Sequence, residues 1–130
     1  MHAFLKASLS EEGKMIIAIT ADSGDMKSRV NPRFGRAPVF ILFNTGTGDY
    51  QVVDNAINLS ATQGAGIQAA KTIINHNVDV LISGRFGPKA YNLLEGTSVK
   101  TFVCDETTVK KAIEMYLSDG LKEFTKEEVF

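Results

Sequence analysis

After Gly64 the chain alternates between helical periodicity and short buried runs, and this constrains the fold more than any other feature. "GAGIQAAKTIINHN" places Ile67, Ala70 and Ile74, with Ala69 and Ile73 beside them, at helical spacing. Val78 to Ile82 is too short and too apolar for anything but a strand buried on both faces. "SGRFGP" breaks that run, and Lys89 to Leu94 reads as a short helix stopping at Gly96. Val99 to Val103 is the next strand, and Thr107 to Leu117 is a helix with Val109, Ala112, Ile113 and Tyr116 on one face. Strands joined by helices call for parallel, right-handed crossovers.

The first half is built differently. Met15 to Thr20 is a nearly continuous apolar run, and a polar stretch, "ADSGDMKSRVNPRFGRA", follows as a long loop. Pro38 to Asn44 is β-branched and aromatic, "TGTGD" has hairpin turn chemistry, and Tyr50 to Asp54 is the returning strand. The expected product is an α/β layered domain around a mixed sheet of about five strands, with strand 2 antiparallel. Residues 15–117 form one domain, residues 1–14 read as an extension or leader because Met15 opens the first strand, and residues 118–130 read as a charged, frayed tail.

Composition removes several function classes. The chain of 130 residues has 14 basic and 15 acidic side chains, so no net charge draws it to nucleic acid or an anionic membrane. No apolar run is long enough to span a bilayer. The lone cysteine, Cys104, makes neither an internal disulfide nor a multi-cysteine zinc cage, and this fits a reducing cytoplasm.

Strand direction locates the chemistry. If strands 1, 3, 4 and 5 run together, their carboxyl ends and the start of strand 2 share one sheet edge, where open α/β sheets bind ligands. Asp22–Asp25, Asn31–Arg36, Leu59–Gly66, Ser83–Pro88 and Cys104–Thr107 should meet there. "RFGRAP" at 33–38 and "RFGPKA" at 85–90 are then not a repeat, since one precedes a strand and the other a helix, but two loops at one edge. Candidate ligand-binding residues are Arg33, Phe34, Gly35, Arg36, Gly64, Ala65, Gly66, Ser83, Gly84, Arg85, Phe86 and Gly87. Helix N-termini expose unpaired N–H groups and a positive dipole end, glycines let backbone approach a ligand, and guanidinium groups add fixed charge. That combination makes a cup for a bulky anion.

Other residues offer less. Cys104 ends strand 5 at this edge and is a candidate metal thiolate, against the plainer reading of a half-buried small hydrophobe. His76 falls at the opposite edge and His2 in the leader, so no Ser-His-Asp or Cys-His set forms and no catalytic residue is assigned. Asp22, Asp25, Asp54 and Asp105 suggest a nuclease-like carboxylate site, but Asp54 and Asp105 flank turns, where Asp is ordinary. Phe34 and Phe86 read either as loop anchors or as ligand-stacking groups.

The strings "MIIAIT", "NPRFGRAPVFILFNTGTGDYQVVDN" and "GAGIQAAKTIINHNVDVLISGRFGPKAYNLL" together resemble the dinitrogenase iron–molybdenum cofactor biosynthesis family over residues 15–117. That family holds nitrogenase accessory carriers of cofactor precursors and small stand-alone members of the orange-protein type. The resemblance implies a ribonuclease H-like three-layer α/β/α fold. It also implies a non-enzymatic carrier or scaffold for an anionic metal–sulfur cluster, of the iron–molybdenum precursor or molybdenum–copper sulfide kind, and a protein that can be purified without it. The implied surface is Arg33 to Arg36, Gly64 to Gly66 and Ser83 to Pro88, with an iron–sulfur ATPase or other cofactor-assembly proteins as partners. Some nitrogenase carriers have His where this chain has Arg33, and a guanidinium cation cannot ligate a metal. That difference points away from nitrogenase service and toward the stand-alone members. Two further readings stay open: a regulatory or interaction module binding a phosphate-bearing metabolite or a protein at the same edge, and a metal-dependent nuclease.

Overall fold

The computed structural model of the protein describes residues 14–55 and 64–125. Strand β1 (Ile16–Ala21) is followed by a 3-10 turn at Phe34–Arg36, the hairpin β2 (Val39–Asn44) and β3 (Tyr50–Asp54), and helix α1 (Ala65–Asn75). Strand β4 (Val80–Ser83), helix α2 (Pro88–Glu95), strand β5 (Lys100–Val103), helix α3 (Val109–Leu117) and strand β6 (Lys122–Glu123) complete the order. The sheet order is β3-β2-β1-β4-β5-β6. β1 pairs antiparallel with β2 and parallel with β4; β4 and β5 are parallel, and both hairpin strands and β5–β6 are antiparallel.

Alternation along the strands divides the core in two. Ala18, Phe40, Leu42 and Leu81 face α1 and α2, where Ala69, Ala70, Ile73, Ala90 and Leu94 cover them. Ile17, Ile19, Ile41, Val80 and Ile82 face α3, which supplies Val109, Ala112 and Ile113. Helices on both faces make a three-layer α/β/α domain, as expected from the sequence. The buried stripe of α1 is Ala65, Ala69, Ala70 and Ile73, while Ile67 and Ile74 are only half-buried. Small residues carry that stripe because α1 lies tight on α2, where a Cβ added at Gly66 would stand 3.3 Å from the Ala90 Cβ. Among the described residues no helix is long and apolar enough to cross a membrane.

The sheet has six strands, not about five. The additional one lies within the stretch that the sequence reads as a frayed tail, whose residues 126–130, like most of the leader, fall outside the described ones. Lys122 and Glu123 are exposed edge residues without an apolar period, so nothing in their composition announces a strand. What holds them is Phe124, buried against Phe86 (centroids 5.0 Å apart) and edge-on to Tyr91 (5.5 Å), with its carbonyl accepting from the Thr101 hydroxyl at 3.2 Å.

Phe124→Ala is expected to cost about 3 kcal/mol, near the low end for a buried aromatic because the chain end can partly detach. Urea unfolding monitored by circular dichroism reads this directly; a change within about 0.5 kcal/mol would mean that β6 contributes nothing to the fold.

Candidate functional site

The end of β1 (Ala21) pairs with the start of β2 (Val39), and β4 and β5 end level at Ser83 and Val103. The two Arg-Phe-Gly loops therefore emerge at one edge, as strand direction requires. They touch: the Phe34 N–H donates to the Arg85 carbonyl at 3.2 Å. Their rings turn inward, with Phe34 and Phe86 buried at 2% and 4% exposure and 5.5 Å between centroids, and Phe40 lies 5.7 Å from Phe34. Both phenylalanines are thus anchors of the loops, and ligand stacking on their rings is not available in this arrangement.

Above these rings lies an open depression of about 500 Å³ lined, among the described residues, by Arg33 to Arg36, Gly64 to Gly66 and Arg85 to Pro88; residues 59–63, expected at the same edge, lie outside the described ones. The depression receives the first turns of α1 and α2. Neither helix is capped by a side chain, Gly64 preceding one and Gly87 the other, and Pro88 opens α2 with its preset φ. The first N–H groups of an α-helix lack intrahelical acceptors, so two positive helix ends share one hollow. Arg33 and Arg85 are exposed and Arg36 is half-buried beside them.

The glycines divide by role. A Cβ at Gly35 would lie 2.8 Å from the Gly66 nitrogen, and one at Gly84 would lie 2.6 Å from the Pro32 Cα. These two exist so that backbone can press on backbone, not on a ligand. Gly64 holds φ +82°, a left-handed value that disfavours other residues. Only Gly87 has an ordinary φ of −80° together with nothing within 4 Å of an added Cβ. Of the glycines predicted from sequence, it is the one with open space and no internal reason to be glycine.

Ser83, Gly84 and Cys104 do not line the depression. Ser83 is fully buried, with its hydroxyl 3.1 Å from that of Thr20. Cys104 is 3% exposed among the α3-side core, and burial, reinforced by the Asp105 charge, pushes its thiol above the ordinary value. That favours the protonated form, whereas a metal ligand must be a thiolate. No group of three His, Cys, Asp or Glu among the described residues is placed to hold a metal ion. Asp22 accepts from the Asn31 side chain at 2.8 Å and Asp25 from the Lys27 N–H at 2.8 Å, so both carboxylates are tied into their own loop. His76, at the end of α1, lies 2.8 Å from the Thr72 carbonyl and away from this edge. Sequence reasoning placed Asn31 at this edge without a role and missed Thr20 and Asn55; the polar atoms of all three hold the loops from beneath, and polar residues interrupting or following buried strands were the available signal. A larger hollow of about 820 Å³ lies between α3 and β6, but its lining mixes Asp105 and Glu106 with Lys111 and Lys122. Charges of both signs there select no ligand class.

Fold and site together define a small α/β domain with an arginine- and glycine-lined depression at the carboxyl edge of its sheet. The chain belongs to the dinitrogenase iron–molybdenum cofactor family, whose model matches residues 15–119. It is similar to the apo form of the orange protein of Desulfovibrio gigas, at 32% identity and TM-score 0.82, over 85% of this chain and 93% of that one. A NifB-like protein of Thermotoga from the DUF35 family is 30% identical with TM-score 0.75, over 87% and 98% of the two chains. A dinitrogenase-type protein of Methanocaldococcus jannaschii shares the fold at 16% identity and TM-score 0.65, over 86% and 96%. Among curated proteins none matches the chain.

Two outcomes follow from this geometry. Gly84→Ala, which drives a methyl into the Pro32 backbone, should lose about 1–3 kcal/mol in chemical denaturation, as overpacking does; a neutral result would show that the loop shifts freely. The second concerns alkaline stability. Because the Cys104 thiol is raised in the folded state from 9.0, its contribution is complete below that value and is lost as pH climbs toward the folded value. Cys104→Ala should therefore flatten the fall in unfolding free energy above roughly pH 9. Some decline persists because burial also raises the Tyr116 phenol. Identical pH profiles for the two proteins would contradict this.

Proposed function

We propose that the depression binds an anionic metal–sulfur cluster and that the protein holds or delivers this cargo without catalysing a reaction. One observation carries the reading: among the described residues, every side chain lining the depression is Arg, Phe, Pro, Ala or absent. The described lining offers guanidinium and backbone N–H donors and no acceptor side chain, no hydroxyl, carboxylate, imidazole or thiol. Such a surface suits a ligand that only accepts, carries several negative charges and has a soft, weakly hydrated exterior. A sulfide-coated cluster has those properties. A nucleotide would bring ribose hydroxyls and base N–H groups as donors, for which the described lining provides no side-chain acceptor.

The donor set also fits the cluster as a whole anion better than a bare metal ion. A cation would need thiolate, imidazole or carboxylate ligands, and among the described residues the hollow holds none. The family's link to the iron–molybdenum cofactor and the likeness to the orange protein support the same class of cargo. Under this reading no lining side chain serves as nucleophile or general acid–base, and the cargo passes unchanged to a receiving protein of cofactor assembly.

Mixing the anaerobically purified protein with tetrathiomolybdate, with and without a copper(I) source, should give stoichiometric bound charge-transfer absorbance that weakens as salt rises. Arg85→Ala should weaken binding roughly tenfold or more, the worth of a hydrogen bond to a charged group. Gly87→Ala should leave the fold intact while lowering affinity, since its methyl enters open space. No bound absorbance in the wild type, or stabilisation by phosphates and nucleotides but not by thiometallates, would overturn the cluster reading in favour of a phosphate-binding module.

A further inference from the structure

Among the described residues the side chains both polar and buried are Thr20, Asn55, Ser83 and Thr101. A hydroxyl or amide in this position loses its water and is kept only if it finds partners, whereas valine in a strand packs without that cost. Three of the four find their partners in the loops that shape the depression. Thr20 interrupts an otherwise apolar strand one residue before its end, and its Oγ1 donates to the Asn31 carbonyl at 2.7 Å while its own carbonyl accepts from the Asn31 N–H at 2.8 Å. Asn31 in turn accepts the Arg33 N–H on its side-chain oxygen at 2.9 Å. Ser83, beside Thr20 on the neighbouring parallel strand, has its hydroxyl 3.1 Å from Thr20 Oγ1 and 3.5 Å from the Arg85 carbonyl. Asn55 donates from Nδ2 to the Ala37 carbonyl at 2.8 Å, with the Gly35 carbonyl 3.5 Å away.

We propose that Thr20, Ser83 and Asn55 are positioning residues that fix the spacing between the Arg33–Arg36 loop and the Arg85–Gly87 loop, and so determine which anions the depression accepts. This rests on the anion-binding reading above. Thr20 and Ser83 form the link between the loops: one hydroxyl grips the segment leading to Arg33, the other faces the carbonyl of Arg85, and the two contact each other under the hollow. The Arg85 carbonyl also accepts the Phe34 N–H, so a change at the hydroxyl pair reaches both arginine loops through one atom. Asn55 fixes the far side, where the turn after Gly35 enters β2.

The test uses Thr20→Val, which keeps the shape and removes the hydroxyl, with Thr20→Ser as the conservative rescue. Ile113→Val, on the opposite face, is the control for general loss of stability. Two quantities are read: affinity for tetrathiomolybdate and for the larger copper-containing thiometallate, and amide hydrogen exchange at Asn31 and Phe34. Thr20→Val should lose at least fivefold in affinity, change the ratio of the two affinities, and exchange faster at both amides, with Thr20→Ser within about twofold of wild type. Ile113→Val should move none of these. Unchanged exchange at Asn31 and Phe34 in Thr20→Val overturns the positioning role whether or not a ligand binds. Equal affinities for wild type and Thr20→Val overturn the claim on selectivity. If wild type binds no thiometallate, the anion reading and the selectivity claim fall together, and only the exchange result bears on the loop spacing. Should Thr20→Val fail to fold, Ser83→Ala takes its place with the same outcomes.

Discussion

The reversal of strand direction at β1 is the constraint on which the site depends. β1 lies at the centre of the sheet, with an antiparallel neighbour on one side and a parallel one on the other. A chain entering β2 and a chain leaving β4 are thereby brought to the same edge, on either side of the end of β1. Were β2 parallel to β1, the loop carrying Arg33 and Arg36 would enter it from the opposite end of the sheet and no shared depression could form. The connection from β1 to β2 folds back along this edge, with Ala21 bridged to Val30 and Arg29 to Thr108 just before α3. Open sheets commonly bind ligands at such switch points, and here the change of direction also supplies the positive charge.

Placing that charge has a cost in the absence of ligand. Two helix N-termini border one hollow that Arg33, Arg36 and Arg85 line, and like partial charges repel. The opposing stabilisation comes from beneath, where Phe34, Phe86, Phe40, Phe124 and Tyr91 form a continuous series of aromatic contacts from the loops to the last strand. Backbone contacts at Gly35 and Gly84 allow no rearrangement without lifting a loop off its neighbour. The repulsion is held by packing, so the donors are oriented before any ligand arrives. A preorganised site of this kind spends less of its interaction energy on ordering. β6 takes part in this although its two paired residues are exposed, because Phe124 closes the aromatic series against Phe86.

The order of elements from β1 to α3 was legible because those strands and helices carry their own apolar periods, and the edge where the arginine loops meet followed from strand direction alone. What escaped the sequence depends on contacts between distant segments. Gly35 and Gly84 looked like ligand-facing glycines, yet their lack of a Cβ answers to Gly66 and Pro32, a distinction no local pattern encodes. Phe34 and Phe86 have one sequence appearance as anchors and as stacking groups, and only burial separates the two. Ser83 read as part of the binding loop because it adjoins Gly84 and Arg85, whereas its position as the final inward residue of β4 buries it beside Thr20. Cys104 likewise stands at the correct end of β5 but on the face that packs against α3. One residue's shift along a strand reverses the face, so proximity in sequence to a site is weak evidence for membership in it.

A depression that binds through N–H donors and guanidinium groups differs in kinetics from one that binds through thiolates. Metal–sulfur bonds to protein would have to be broken one at a time before a cluster could leave. Hydrogen bonds and screened charge can be lost gradually and replaced by those of a competing surface as it approaches. Affinity differences of this kind appear mainly in dissociation rates. On the carrier reading, then, the scarcity of strong metal ligands among the described residues near the hollow is a property the role requires, since a cargo protein must hold an assembled cluster intact and still release it. The burial of Cys104 away from the depression fits the same requirement: a reactive thiolate beside a sulfide-bridged cluster would compete for its metals. Selectivity must then come from spacing rather than from bonds, which places the demand on the residues that hold the two arginine loops apart.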